Sequence, residues 1–143
     1  MHAPKVYKDM HTKDTLLVYE IYKSIQGESC YTGYPCVFVR LAGCPVRCVY
    51  CDTDYAFTGG MQMSIDDIVE KVLSYDVPMV EVTGGEPLAQ KRCIELLNRL
   101  IQKRLRVLLE TGGVVPIDDV SKDVVKIMDI KTHISVKNLN VWY

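Results

Sequence analysis

Neither sign of charge prevails in this chain. Its 17 lysines and arginines meet 18 aspartates and glutamates, for a formal net charge of −1. No broad electrostatic surface for nucleic acid or an anionic membrane is therefore expected. No apolar run approaches the ~20 residues that a membrane span needs, and no repeat or low-complexity tract occurs. The first 30 residues are charged and lack the apolar stretch of a secretory leader, so a cytoplasmic chain is expected. Histidine is scarce, with three residues and no HxxxH, and no second CxxC pair accompanies the one cysteine-rich loop. Structural zinc, which takes four ligands in paired units, is disfavoured, and so is a disulfide framework in a reducing compartment. What remains is 143 residues, 48% hydrophobic and 24% charged, enough for one domain with a core.

Against this background stands Cys44-Pro-Val-Arg-Cys48-Val-Tyr-Cys51. Closely spaced thiolates on one loop can wrap an iron–sulfur cluster. Three thiolates on a 4Fe-4S cluster leave one iron open to an outside ligand, whereas an electron carrier normally fills all four positions. The spacing favours an open cluster over zinc.

Periodicity places this loop. Strands are expected at 16–23, 36–41, 78–83, 105–110 and 124–130, from β-branched and aromatic runs. Helices are expected from Ile65, capped by Ser64, to about Ser74, and from Leu88 to Arg104, with a short turn or helix at 117–121. Alternating strands and helices imply a parallel sheet of βαβ units. In such sheets ligands sit beyond the carboxyl ends of the strands. Four polar clusters fall there: the cysteine loop, Thr83-Gly-Gly-Glu-Pro87, Glu110-Thr-Gly-Gly113 and Asp129-Ile-Lys131.

A CxxxCxxC loop followed by a strand-terminal Gly-Gly-Glu resembles the radical S-adenosylmethionine (SAM) superfamily. The resemblance implies a partial (β/α) barrel, here incomplete on its C-terminal side, with Cys44, Cys48 and Cys51 as ligands of a 4Fe-4S cluster. It implies SAM on the open iron, cleaved to a 5′-deoxyadenosyl radical that abstracts hydrogen from substrate. Gly84, Gly85 and Glu86 match the motif that binds the SAM amino group, and Asp52 a position near SAM or the cluster.

Within that superfamily, Ser24-Ile-Gln-Gly-Glu28, Gly33-Tyr-Pro, Val37-Phe-Val-Arg-Leu-Ala-Gly-Cys44 and Cys51-Asp-Thr-Asp54 resemble the 7-carboxy-7-deazaguanine synthase family. This resemblance implies a lyase of queuosine biosynthesis. It converts 6-carboxy-5,6,7,8-tetrahydropterin to 7-carboxy-7-deazaguanine by radical ring contraction, with loss of ammonia. Gln26, Gly27, Glu28 and Thr83 then match substrate contacts. Arg40 matches the group that pairs with the substrate carboxylate, and Thr53 a Mg²⁺ ligand. A flavodoxin- or ferredoxin-type electron donor and a homodimer are also implied. A glycyl-radical-activating enzyme is the nearest rival, but it leaves QGE, RLAGC and CDTD unexplained together. A non-catalytic remnant is the rival of another class.

The resemblance spans about 17–131. The expected organisation is a flexible tail at 1–15, a partial core domain at 16–131 and a tail unlike the family at 132–143, as a truncated synthase would have. Cys30, Cys36 and Cys93 are expected as small buried hydrophobes.

Overall fold

A computed structural model describes residues 14–131. Six strands form one sheet: β1 (Thr15–Ile25), β2 (Pro35–Leu41), β3 (Met61–Ser64), β4 (Met79–Gly84), β5 (Arg106–Thr111) and β6 (Val125–Met128), in the order β3-β1-β2-β4-β5-β6. β2, β4, β5 and β6 run parallel, as the βαβ pattern predicts. β1 and β3 are antiparallel additions on one side. Of the tail expected at 1–15, residues 1–13 lie outside the described residues, and Thr15 already belongs to the sheet. Residues 132–143, expected as a tail unlike the family, lie outside the described residues.

Alternation along the strands separates the two faces. Val37, Val39 and Leu41 of β2, Val80 and Val82 of β4, and Val107 and Leu109 of β5 pack toward two helices. These are α1 (Ile65–Leu73) and α2 (Cys93–Gln102). Ile68, Val72, Leu96, Leu97 and Leu100 complete that core, all within 1% exposure. Burial of this size on one side fixes the register, since a slip by one residue would turn each strand over. Among the described residues no helix is long and apolar enough to cross a membrane.

α1 begins where its sequence says: the Ser64 hydroxyl accepts from the Asp67 amide at 3.1 Å, with Asp66 and Asp67 in the positive first turn. α2 begins five residues later than the expected Leu88. Glu86 caps a single 3₁₀ turn at Pro87–Ala89, and Gln90 then takes an extended backbone. The Gln90 side chain accepts from Leu17 N at 2.8 Å and donates to Leu17 O and Ala42 O at 2.9 and 3.0 Å. It stitches β1 to the end of β2 beside the irregularity at Val18–Glu20. The 117–121 segment forms turns rather than a helix.

The opposite face carries a small apolar floor of Cys36, Phe38, Met79 and Leu108. One residue pair further along the same strands, Arg40, Glu81, Thr83 and Glu110 follow. The inner face thus turns from apolar to polar toward the carboxyl ends of the parallel strands.

Candidate active site

The polar end opens into a cavity of about 420 Å³. Its lining brings together all four clusters expected at the strand ends: Cys44, Cys48 and Cys51; Thr83, Gly84, Gly85 and Glu86; Glu110, Thr111 and Gly112; and Asp129 and Lys131. Glu28, Arg40, Asp52 and Thr53 line it too. Gln26 and Gly27 do not. Gln26 is 2% exposed, and its amide is engaged behind the wall. Its oxygen accepts from Glu28 N at 3.0 Å, and its nitrogen donates to Glu81.

The two glycines after Thr83 act on the protein itself. A Cβ on Gly85 would lie 2.6 Å from the Cys44 Cβ and 2.8 Å from the Gly43 carbonyl carbon. Their absence of side chains lets Gly85 N donate to Leu41 O at 3.3 Å and Glu86 N to Gly43 O at 3.0 Å. The turn after β4 is thereby pressed against the root of the cysteine loop.

Glu86 is 2% exposed. Its carboxylate accepts from Leu88 N at 3.1 Å, from Gly112 N at 2.9 Å and from the Thr111 hydroxyl at 2.9 and 3.0 Å. Burial pushes the pKa of its carboxyl up, while the Leu88 and Gly112 amides and the Thr111 hydroxyl oppose the rise. Its first duty is therefore structural, joining β4 to β5 at the cavity wall.

Arg40 is held by Glu20, at 2.8 Å through Nε, and by the Tyr22 hydroxyl, at 3.1 Å through Nη2. Its guanidinium also lies 5.9 Å from the Tyr55 ring centre. With the side chain 12% exposed, Nη1 stays unused by these partners and the fork is preset for an anion. The strand pattern revealed Arg40 as an oddity among apolar neighbours; Glu20 and Tyr22, across the β1–β2 ladder, had no signal of their own.

Carboxylates crowd the remainder. The Glu28 carboxyl is raised from its ordinary value, first by the charge of Glu110, then by burial, Asp129 and Asp52, with Lys131 opposing. Thr83 donates to Glu110 at 3.0 Å. Lys131 pairs with Asp129 and lies over the Tyr50 ring.

The thiols fit a cluster. All six cysteines are free, and Cys44, Cys48 and Cys51 are half-buried around one cavity. Burial pushes the Cys44 thiol up, while the Val46 backbone and the Arg47 charge oppose the rise. Among the described residues no three Cys, His, Asp or Glu side chains converge as a single metal ion requires; a multi-iron cluster instead takes separate thiolates. Arg47 braces the loop, donating to Cys44 O and Val46 O and stacking 4.1 Å over the Phe57 ring. Thr53 Oγ1 lies 3.7 Å from Cys51 Sγ. Cys36 and Cys93 are fully buried, as expected, whereas Cys30 is exposed, in a surface 3₁₀ turn.

The model of the radical SAM superfamily matches residues 38–140, well over half of the chain. The chain belongs to the radical SAM superfamily. Radical SAM proteins use a 4Fe-4S cluster and SAM, and the three thiols around the cavity are the residues that could hold that cluster. Two curated relatives are 7-carboxy-7-deazaguanine synthases. One, from Chlorobaculum tepidum, is 53% identical over 122 residues, covering 85% of this chain and 56% of the relative. The other, from Koribacter versatilis, is 50% identical over 114 residues, covering 78% and 50%. The chain thus spans about half the length of the curated relatives it matches. The crystal structure of QueE from Escherichia coli shares the fold, with a TM-score of 0.73 over 89% of this chain and 65% of that one, at 22% identity. The open, parallel-dominated sheet agrees with the partial barrel expected from the sequence.

Proposed function

We propose that this chain carries the radical-generating and substrate-holding part of a 7-carboxy-7-deazaguanine synthase. In this reading it is a lyase that contracts 6-carboxy-5,6,7,8-tetrahydropterin with loss of ammonia. The observation that carries the proposal is one cavity that joins three unbridged thiols to a preset arginine and a group of carboxylates. When bound, the cluster and SAM supply the radical that abstracts hydrogen. Arg40 holds the substrate carboxylate through the guanidinium face that Glu20 and Tyr22 leave free. Glu28 and Thr83 accept from and orient the N–H-rich pyrimidinone edge, and Gln26 fixes the Glu28 backbone from behind. Glu86 takes the SAM amino group beside Gly84 and Gly85, and Asp52 lies near SAM. Thr53, a hard oxygen donor at the cavity wall, is offered to Mg²⁺.

The reading also includes a cytoplasmic location, a homodimer and a flavodoxin- or ferredoxin-type donor. The donor approaches beside Val49 and Tyr50, which are exposed within the cysteine loop. The exposed Met128 at the β6 edge and Ile130 beyond it offer apolar surface to a second copy.

The test supplies anaerobically reconstituted protein with reductant, SAM, Mg²⁺ and carboxytetrahydropterin. Formation of 7-carboxy-7-deazaguanine without net SAM consumption supports the proposal. SAM consumed in step with a radical installed on a partner protein assigns the chain to the glycyl-radical activases instead.

A further inference from the structure

Glu81 sits in the middle of β4 at 3% exposure. The groups that face it come from every neighbouring element. From the loop after β1, Gln26 Nε2 donates to its Oε2, and the Glu28 charge lies nearby. From β2, the buried Cys36 thiol stands beside it. From β5, Glu110 lies on the same face as Glu81, two residues beyond Leu108, which pairs with Glu81 across the ladder, and its charge acts on Glu81. Glu110 in turn accepts from the Thr83 hydroxyl at 3.0 Å and lines the cavity. Among the described residues, no lysine or arginine forms an ion pair with Glu81 or Glu110.

Two adjacent carboxylates, one buried and neither paired with a cation, cannot both stay ionised at low cost. A proton between them converts repulsion into a hydrogen bond. We propose that Glu81 and Glu110 form a carboxyl pair holding one proton between them, with Glu81 a positioning residue that fixes Glu110 and Gln26 for the ligand in the cavity. Burial first, then the Glu110 charge, pushes Glu81 up to about 7, in line with this arrangement. The proton belongs to the pair.

The consequence is directional. Below the transition, Glu81 can donate to Glu110 and accept from Gln26, so that both neighbours are held. Above it, the second charge repels Glu110 and Glu28, and the wall facing the ligand loosens. The identity of that ligand rests on the function proposed above; the shared proton does not.

The experiment is infrared difference spectroscopy of the reconstituted protein between pH 6 and pH 8.5, without substrate. The parent should show a protonated-carboxyl band that disappears as pH rises. Glu28 and Glu86 are also raised, so the assignment comes from Glu81→Gln, which should lack the band. A parent without a titrating band, or a Glu81→Gln variant that retains it, overturns the pair. Binding of carboxytetrahydropterin tests the positioning role. Glu81→Gln, which mimics the protonated form, should bind like the parent at pH 6.5 and keep that affinity to pH 8.5, whereas the parent weakens several-fold. Glu81→Leu should lose at least tenfold at both pH values while keeping its circular dichroism. Parent-like binding by Glu81→Leu would overturn the positioning role. A parent that shows the band and yet fails to bind the pterin would support the proton pair and overturn the substrate assignment.

Discussion

The Thr111 hydroxyl donates to the Glu86 carboxylate at 2.9 Å, tying the end of β5 to the turn that follows β4. Gly112 N and Leu88 N donate to the same carboxylate, so one buried side chain takes three donors and joins the ends of two strands. Removing it leaves three donors unpaired. Glu86→Ala should therefore lose about 3 kcal/mol of stability, and Glu86→Gln about 1–2 kcal/mol, read from urea unfolding. A loss within 0.5 kcal/mol of the parent for Glu86→Ala would show that this network is not structural.

Gly85 offers a sharper separation between fold and site. A methyl group there meets the backbone of Gly43 and the Cβ of Cys44, neither of which is a flexible chain end. Gly85→Ala should displace the root of the cysteine loop and cut iron loading several-fold. The helices, which pack on the other face of the sheet, should be preserved by circular dichroism. Full loading of four irons in this variant would contradict the close-approach role.

Glu81 predicts a pH dependence of stability. Its folded value, about 7, lies above the ordinary 4.5. The folded state therefore binds the proton more tightly than the unfolded chain does. The resulting stabilisation is present in full below 4.5, declines as pH rises toward 7, and is gone above it. Denaturant midpoints measured from pH 5 to pH 8 should fall for the parent relative to Glu81→Gln. Parallel curves would exclude Glu81 as the source.

Arg40 carries the substrate prediction. Glu20 and Tyr22 fix its fork, so Arg40→Ala should cost about 2–5 kcal/mol of binding to carboxytetrahydropterin. Arg40→Lys should recover only part, because an ammonium cannot reproduce the bidentate geometry. Undiminished affinity in Arg40→Ala would remove Arg40 from the site.

The parallel strands β2, β4 and β5 were legible because they are rich in β-branched and other apolar residues, and α1 because Ser64 and its apolar stripe agree. The cysteine loop, Thr83–Glu86, Glu110 and Lys131 were legible as a site because topology gathers the ends of parallel strands. β3 escaped notice: Met61-Gln-Met-Ser64 is short, half exposed and held by pairing with β1, a long-range effect with little local signal. The start of α2 was misplaced because Glu86 and Gln90 spend their side chains on tertiary bonds that interrupt an otherwise helical run. Glu81 and Glu20 were hidden for a related reason. Their importance lies in which neighbour faces them across the sheet, and alternation alone does not name that neighbour.

The most direct test is electron paramagnetic resonance of the reconstituted, reduced protein with and without SAM, alongside iron and sulfide analysis. Three thiols around one cavity predict about four irons and four sulfides per chain, because one thiolate serves each of three irons. They also predict that SAM shifts the signal by binding the fourth. Stoichiometric zinc in a protein that takes no iron, or a cluster signal that SAM leaves unchanged, would contradict the account.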